Sequence, residues 1–166
     1  LDPDLTRQMG TLALVRRLAD AVRLPVIAAG GIADQAGVRA ALELGAAGVQ
    51  VGTAFVLCDE ALTAPLHRAA LTGPNAIHTA LTNVFTGRPA RGIVNRAMRE
   101  LGYLHAAAPS FPLAGVALAR LRQAAERHHR SDFTPLWAGQ NTTGCRAIPA
   151  AELLRALWPG PGHADQ

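Results

Sequence analysis

PVIAAGGIADQAGVRAALELGAAGVQVGTAF, residues Pro25 to Phe55, opens with Val26, Ile27, Ala28 and Ala29, an unbroken apolar run closed by Gly30 and Gly31. A run this short, bounded by proline and glycines, predicts a strand buried on both faces, as in a parallel sheet. Asp34 then predicts a helix N-cap ahead of Val38, Ala41 and Leu42, and Gly45 supplies the C-terminal stop. Gly48 to Val51 reads as a second short strand, ending at Gly52. Working upstream, Leu12, Val15, Leu18, Ala19 and Val22 recur at helical spacing with Arg16, Arg17, Asp20 and Arg23 between them. That pattern is an amphipathic helix starting near Thr11, which Pro25 stops.

Helix, strand, helix, strand, with roughly twenty residues between strands, is the βαβ rhythm of a parallel sheet. Two strands do not make such a sheet alone, and a (β/α)₈ barrel takes eight strands and about 250 residues. The expected fold class is therefore α/β, with most of the sheet outside this sequence; if that sheet closes into such a barrel, residues 1–56 would be the last two βα units of a TIM barrel, its C-terminal portion. The chain begins at Leu1 and not at Met, which reads as an incomplete gene record.

Downstream the pattern changes. Residues 54–81 read as helical, from Cys58 through Ala70 and again from Ile77 to Leu81, broken by Thr72, Gly73, Pro74 and Asn75. Thr82 to Arg96 is turn-rich and basic, Pro109, Pro112 and Gly115 mark a loop, and Val116 to His128 reads as a surface helix. Residues 57–145 are thus expected to form a mostly helical and loop subdomain on the substrate side. Residues 146–166 are expected to supply a last helix, Pro149 to Leu157, and a frayed tail from Pro159 to His163.

Composition excludes several classes. With 166 residues, 49% hydrophobic and 17% charged, the chain has the make-up of an ordinary globular domain. It contains neither an apolar run long enough for a membrane span nor a signal-peptide pattern, so the expected location is cytoplasmic, without a membrane partner. The formal net charge is +4, but every one of the sixteen basic residues is Arg, scattered from Arg7 to Arg155, and aromatic residues make up 4%. A nucleic-acid partner is not expected, because the clustered cations and stacking platforms it needs are absent. Cys58 and Cys145 stand alone, without CxxC spacing or a His/Cys cluster, and read as free thiols with no metal site.

The residues that carry chemistry sit at the strand ends. In parallel βα folds a ligand binds beyond the carboxyl ends of the strands, and phosphate is held there by backbone N–H groups at tight turns. Gly30 and Gly31 lack a Cβ, so the chain can take positive φ and approach an anion closely. Gly52 does the same after the second strand, and Thr53 adds a hydroxyl donor. On these residues alone, phosphate binding and plain turn chemistry stand level.

The segment from Pro25 to Phe55 resembles the last two βα units of the nitronate monooxygenase family, formerly called 2-nitropropane dioxygenases. FTGRPARGIVNR, Phe85 to Arg96, is similar to the family's region after the last barrel strand, and PLWAGQ, Pro135 to Gln140, to its C-terminal part. The resemblance implies FMN as cofactor, with Gly31 and its neighbours Gly30 and Ala29 at the seventh strand and Gln50, Val51, Gly52 and Thr53 at the eighth. It implies a nitronate and O₂ as small-molecule partners, and a carbonyl compound and nitrite as products. A homo-oligomer is one option for assembly. The family's histidine base belongs to a glycine-rich motif after the sixth strand, which would lie ahead of Leu1, so no catalytic residue is assigned here.

Alternation in the second strand sets Gln50 opposite Val49 and Val51, facing inward if the valines face the helices. His67 and His78 are expected on helical stretches, His128 and His129 at the end of a surface helix, His105 near a loop and His163 in the tail, all in structural or solvated roles. Arg88 and Arg91 could fold over the site toward an anion, or pair with a neighbouring carboxylate. Trp137 and Gln140 could line the pocket, although Trp is more often core. Two rival readings are an FMN-dependent enoyl-acyl-carrier reductase, which shares the glycine segments, and a non-catalytic truncated remnant.

Overall fold

A computed structural model describes residues 4–158 and residue 160. The expected tail, Pro159 to His163, lies outside the described residues except for Gly160. Helix α1 spans Thr11–Ala21 and is followed by β1, Ile27–Ala29. Helix α2, Gln35–Glu43, starts where Asp34 accepts a hydrogen bond from the Gly37 N–H at 2.8 Å. It ends in a two-bond cap: Gly45, at φ +95°, donates to Leu42 O at 2.9 Å and Ala46 donates to Ala41 O at 3.0 Å. Only a residue without a Cβ takes that φ without strain, and this is how the chain turns back into β2, Gly48–Gln50. β2 runs parallel to β1, with Ile27 opposite Gly48 and Ala29 opposite Gln50.

The two helices touch each other and pack on the same side of this two-stranded sheet. Ala28 is sealed beneath them, whereas Ile27 on the other face is 57% exposed. Within this chain β1 is therefore covered on one face, by the helices, and the other face has no covering layer among the described residues. Of the stripe on α1, Val15 is buried, while Leu12 and Leu18 remain exposed.

A short 3₁₀ segment, Thr53–Leu57, leads to α3, Pro65–Thr72, with Pro65 at the first helical position, where its missing N–H costs nothing. Next come β3, Thr79–Thr82, and β4, Ala90–Ile93, an antiparallel hairpin with Thr79 opposite Ile93 and Thr82 opposite Ala90. Two expectations are corrected here. Ile77 to Leu81 is not helical, and His78 precedes a strand; so short an apolar segment has no period of its own, and its partner strand decides. Within the turn-rich Thr82 to Arg96 lies β4, and Asn95 then caps α4, Arg96–Leu101. The outer edge of β4 is also paired: Ile93 donates to Leu136 O at 2.8 Å and Ala138 donates to Arg91 O at 3.2 Å. A Cβ on Gly92 would come within 2.9 Å of Leu136 O, so glycine is what lets residues 136–138 lie this close.

Helix α5, Ala114–Arg127, lies on the surface, and α6, Ala150–Leu157, returns to the first unit. Leu153 and Leu157 of α6 share one core with Val15, Ala28, Val38 and Ala54. A second cluster, Leu57, Leu71, Ile93, Leu136 and Ala138, ties α3 to the hairpin. Val84, Phe85, Ala97 and Met98 form a third. Among the described residues no helix is long and apolar enough to cross a membrane.

Candidate functional site

At the end of β1 the chain passes through Gly30 at φ +106° and Gly31 at φ +75°, both in the region that side-chain-bearing residues avoid. At the end of β2, Gly52 leads into the 3₁₀ segment. The two turns face one cavity of about 300 Å³, lined by Ala29, Gly30, Gly31, Ile32, Gln50, Gly52 and Thr53, with Gly139 and Asn141 from much later in the chain. Val51 is not part of this lining; with Val49 it packs half-buried against the main core, while Gln50 is exposed.

The cavity is uncharged and rich in donors. A Cβ built on Gly31 or on Gly52 meets no atom within 4 Å, so the missing side chains leave room at both turns. Among the described residues no acceptor takes the N–H of Gly31, Gly52 or Thr53. The Thr53 hydroxyl oxygen accepts from the Gly139 N–H at 2.9 Å, which leaves the hydroxyl proton free to donate elsewhere. No carboxylate lines the cavity. Such a set of donors suits a compact anion. A larger cleft of about 380 Å³ lies against α3 and α4, with Arg96 and Arg99 in its lining, but neither glycine turn reaches it.

Other sequence candidates lie elsewhere. The Arg88 guanidinium sits over the Phe111 ring, 4.6 Å from its centre, and Arg91 donates to Thr79 O at 3.1 Å and Thr79 Oγ1 at 3.3 Å. Neither lines the glycine cavity, and neither forms an ion pair among the described residues. Trp137 meets Phe85 edge to face at 5.8 Å, and Gln140 is exposed. The useful part of PLWAGQ is therefore Gly139, together with Asn141 just beyond it. A glycine following a strand-like apolar run was the available signal, but its partner Thr53 lies 86 positions away.

None of the described histidines lines the cavity. His67 is half-buried on α3 and bonds Trp137 O through Nε2 at 3.0 Å. A carbonyl only accepts, so Nε2 carries the hydrogen. Burial holds the His67 imidazole below its usual pKa, with the carbonyl bond acting in the opposite sense. His78, His105, His128 and His129 are exposed. Both cysteines are free thiols. Cys145 donates to Thr53 O at 3.2 Å, and burial, with Cys58 nearby, pushes its thiol up to about 11.

Parallel strands, helices packed on them and a cavity beyond the strands' carboxyl ends define an α/β protein of the ligand-binding βα class. Within that class the chain belongs to the nitronate monooxygenase family, whose family model matches residues 2–160. It is 50% identical over 155 residues to a nitronate monooxygenase of Pseudomonas aeruginosa, covering 90% of this chain and 43% of that protein. A probable nitronate monooxygenase of Bacillus subtilis is 42% identical over 150 residues, with the same coverage of 90% and 43%. Among solved structures, a nitroalkane oxidase from Streptomyces ansochromogenes superposes with a TM-score of 0.81 at 41% identity, over 90% of this chain and 42% of that one. FabK from Thermotoga maritima superposes with a TM-score of 0.67 at 26% identity, over 90% and 48%. The chain thus spans less than half the length of these relatives.

Proposed function

We propose that this chain is the phosphate-anchoring end of an FMN-dependent nitronate monooxygenase, with β1 and β2 as the last two strands of a (β/α)₈ barrel. The reaction is the oxidation of alkyl nitronates, such as propionate 3-nitronate, by O₂ to a carbonyl compound and nitrite. The observation that carries this reading is the convergence of two glycine turns, with unused amides and a free hydroxyl proton, on one uncharged cavity in a member of this family. The redox chemistry is what a bound flavin supplies; the protein contributes binding and orientation.

In this reading the N–H groups of Gly31, Gly52 and Thr53, with the Thr53 hydroxyl, hold the phosphate oxygens. Amides suit this role because they carry no counter-charge that must be desolvated and are fixed before the anion arrives. Gln50 lines the same cavity. The proton step on the nitronate is not assigned to any residue here, because no described histidine lines the site.

The likeness to FabK supports a second reading, an enoyl-thioester reductase on the same scaffold. Protein expressed at the full length of its gene separates the two. Oxygen uptake with propionate 3-nitronate, accompanied by nitrite release, is the expected result; NADH oxidation coupled to reduction of an enoyl thioester, without oxygen uptake on the nitronate, would replace the first reading by the second.

A further inference from the structure

Residues 139–145 form a strap fastened to both glycine turns. On the β2 side, Gly139 donates to Thr53 Oγ1 at 2.9 Å and Cys145 Sγ donates to Thr53 O at 3.2 Å. On the β1 side, Asn141 Nδ2 donates to Asp34 Oδ2 at 3.1 Å. A Cβ on Gly144 would stand 1.9 Å from Ala33 O, and one on Gly139 would stand 3.6 Å from Gly31 N, so the strap lies directly against that turn.

Asn141 is the polar link on the β1 side, and its orientation is fixed. Its Oδ1 accepts from Thr143 N at 3.1 Å and from Thr143 Oγ1 at 2.7 Å, which leaves Nδ2 for Asp34. Asp34 divides its carboxylate: Oδ1 caps α2 through Gly37 N, and Oδ2 receives Asn141. The helix cap and the strap contact are therefore separable, one oxygen for each.

We propose that Asn141 is a positioning residue for the bound phosphate. Acting through Asp34, it holds the Gly30–Gly31 turn at a set distance from the strap that grips Thr53, so that the amides of both turns address one anion. The inference rests on the flavin-phosphate reading above. It implies an effect on phosphate recognition out of proportion to any effect on folding, because the α2 cap survives loss of Asn141.

The test uses full-length protein, with FMN and riboflavin titrated separately by flavin fluorescence and folding followed by urea unfolding. Wild type binds FMN more tightly than riboflavin. Asn141→Ala lowers that preference roughly tenfold, the scale of one amide–phosphate hydrogen bond lost when the turn is misplaced; riboflavin affinity is nearly unchanged and the urea midpoint little changed, since the Asn141–Asp34 contact is solvent-exposed. Asn141→Asp sets a second carboxylate against Asp34 and lowers it further. Asp34→Asn lowers it as well, from outside the cavity lining: Asn still caps α2, but its side-chain amide now meets Asn141 Nδ2 donor to donor. Full FMN preference in folded Asn141→Ala or Asn141→Asp overturns the proposal. So does full FMN preference in folded Asp34→Asn, which keeps the test decisive should either Asn141 variant fail to fold. If wild type shows no preference for FMN over riboflavin, the flavin-phosphate reading itself falls, an outcome distinct from failure of the Asn141 role.

Discussion

Substituting alanine at Gly52 and at Gly31 separates the cost of folding from the cost of binding. At Gly52, φ is −109°, a value any residue adopts, and a Cβ there touches no protein atom within 4 Å. Gly52→Ala should therefore leave stability unchanged or raise it by about 0.5 kcal/mol, since alanine has less freedom to lose from the unfolded chain. Gly31 sits at φ +75°, where an L side chain costs about 1–2 kcal/mol. Part of that is offset by the same unfolded-state term, so Gly31→Ala should lose about 1 kcal/mol net. Both methyl groups add bulk at turns that line the cavity. Displacing the anion from even one amide forfeits a hydrogen bond worth about 1.5–3 kcal/mol, a roughly ten- to hundredfold loss of FMN affinity. The assay is urea unfolding of the apoprotein beside flavin titration, in full-length protein. A Gly52→Ala variant that folds normally and binds FMN as wild type does would refute the assignment of this turn to the phosphate.

Three further outcomes are expected. Gly144→Ala drives a Cβ to within 1.9 Å of Ala33 O, so the strap must lift from the β1 turn; a loss of about 2–3 kcal/mol in urea unfolding is expected, and an unchanged midpoint would contradict the contact. Because burial lowers the His67 pKa in the folded state, the unfolded chain binds more protons between that lowered value and the ordinary imidazole value of 6.5. His67 thus contributes its full stabilisation above pH 6.5 and loses it as pH falls through this window. The fall in urea midpoint from about pH 7.5 to about pH 5.5 should accordingly be smaller in His67→Gln, and an identical fall in both proteins would refute the burial argument. With its thiol pushed up to about 11, Cys145 should resist alkylation in folded protein near neutral pH and react on unfolding; rapid labelling of the native form would show the thiol to be exposed.

The turn chemistry of the first sixty residues was legible because its causes are local. Asp34 caps, Gly45 stops and Pro25 breaks by interactions within a few residues, so the order of α1, β1, α2 and β2 follows from reading along the chain. The glycines at both strand ends were visible for the same reason, and the structure sets Gly30, Gly31 and Gly52 around one cavity. Legibility failed where a segment's state depends on a distant partner. Ile77 to Leu81 has no decisive period, and it is the ladder to Ala90–Ile93 that makes Thr79–Thr82 a strand. Arg88 and Arg91 looked like anion ligands or ion-pair partners, yet an aromatic ring and a threonine, brought near only by folding, engage them.

Amino-acid order alone thus specified the βα units and the two glycine turns, because caps, stops and positive-φ positions are properties of neighbouring residues. Tertiary structure alone decided that Gly139 and Asn141 join the cavity lining. Pairing of Leu136 and Ala138 with β4 carries Gly139 to Thr53, and Asn141 then reaches Asp34 across 107 positions of sequence. A hydrogen bond between residues so far apart leaves no periodicity to read, since its geometry exists only once the hairpin has formed.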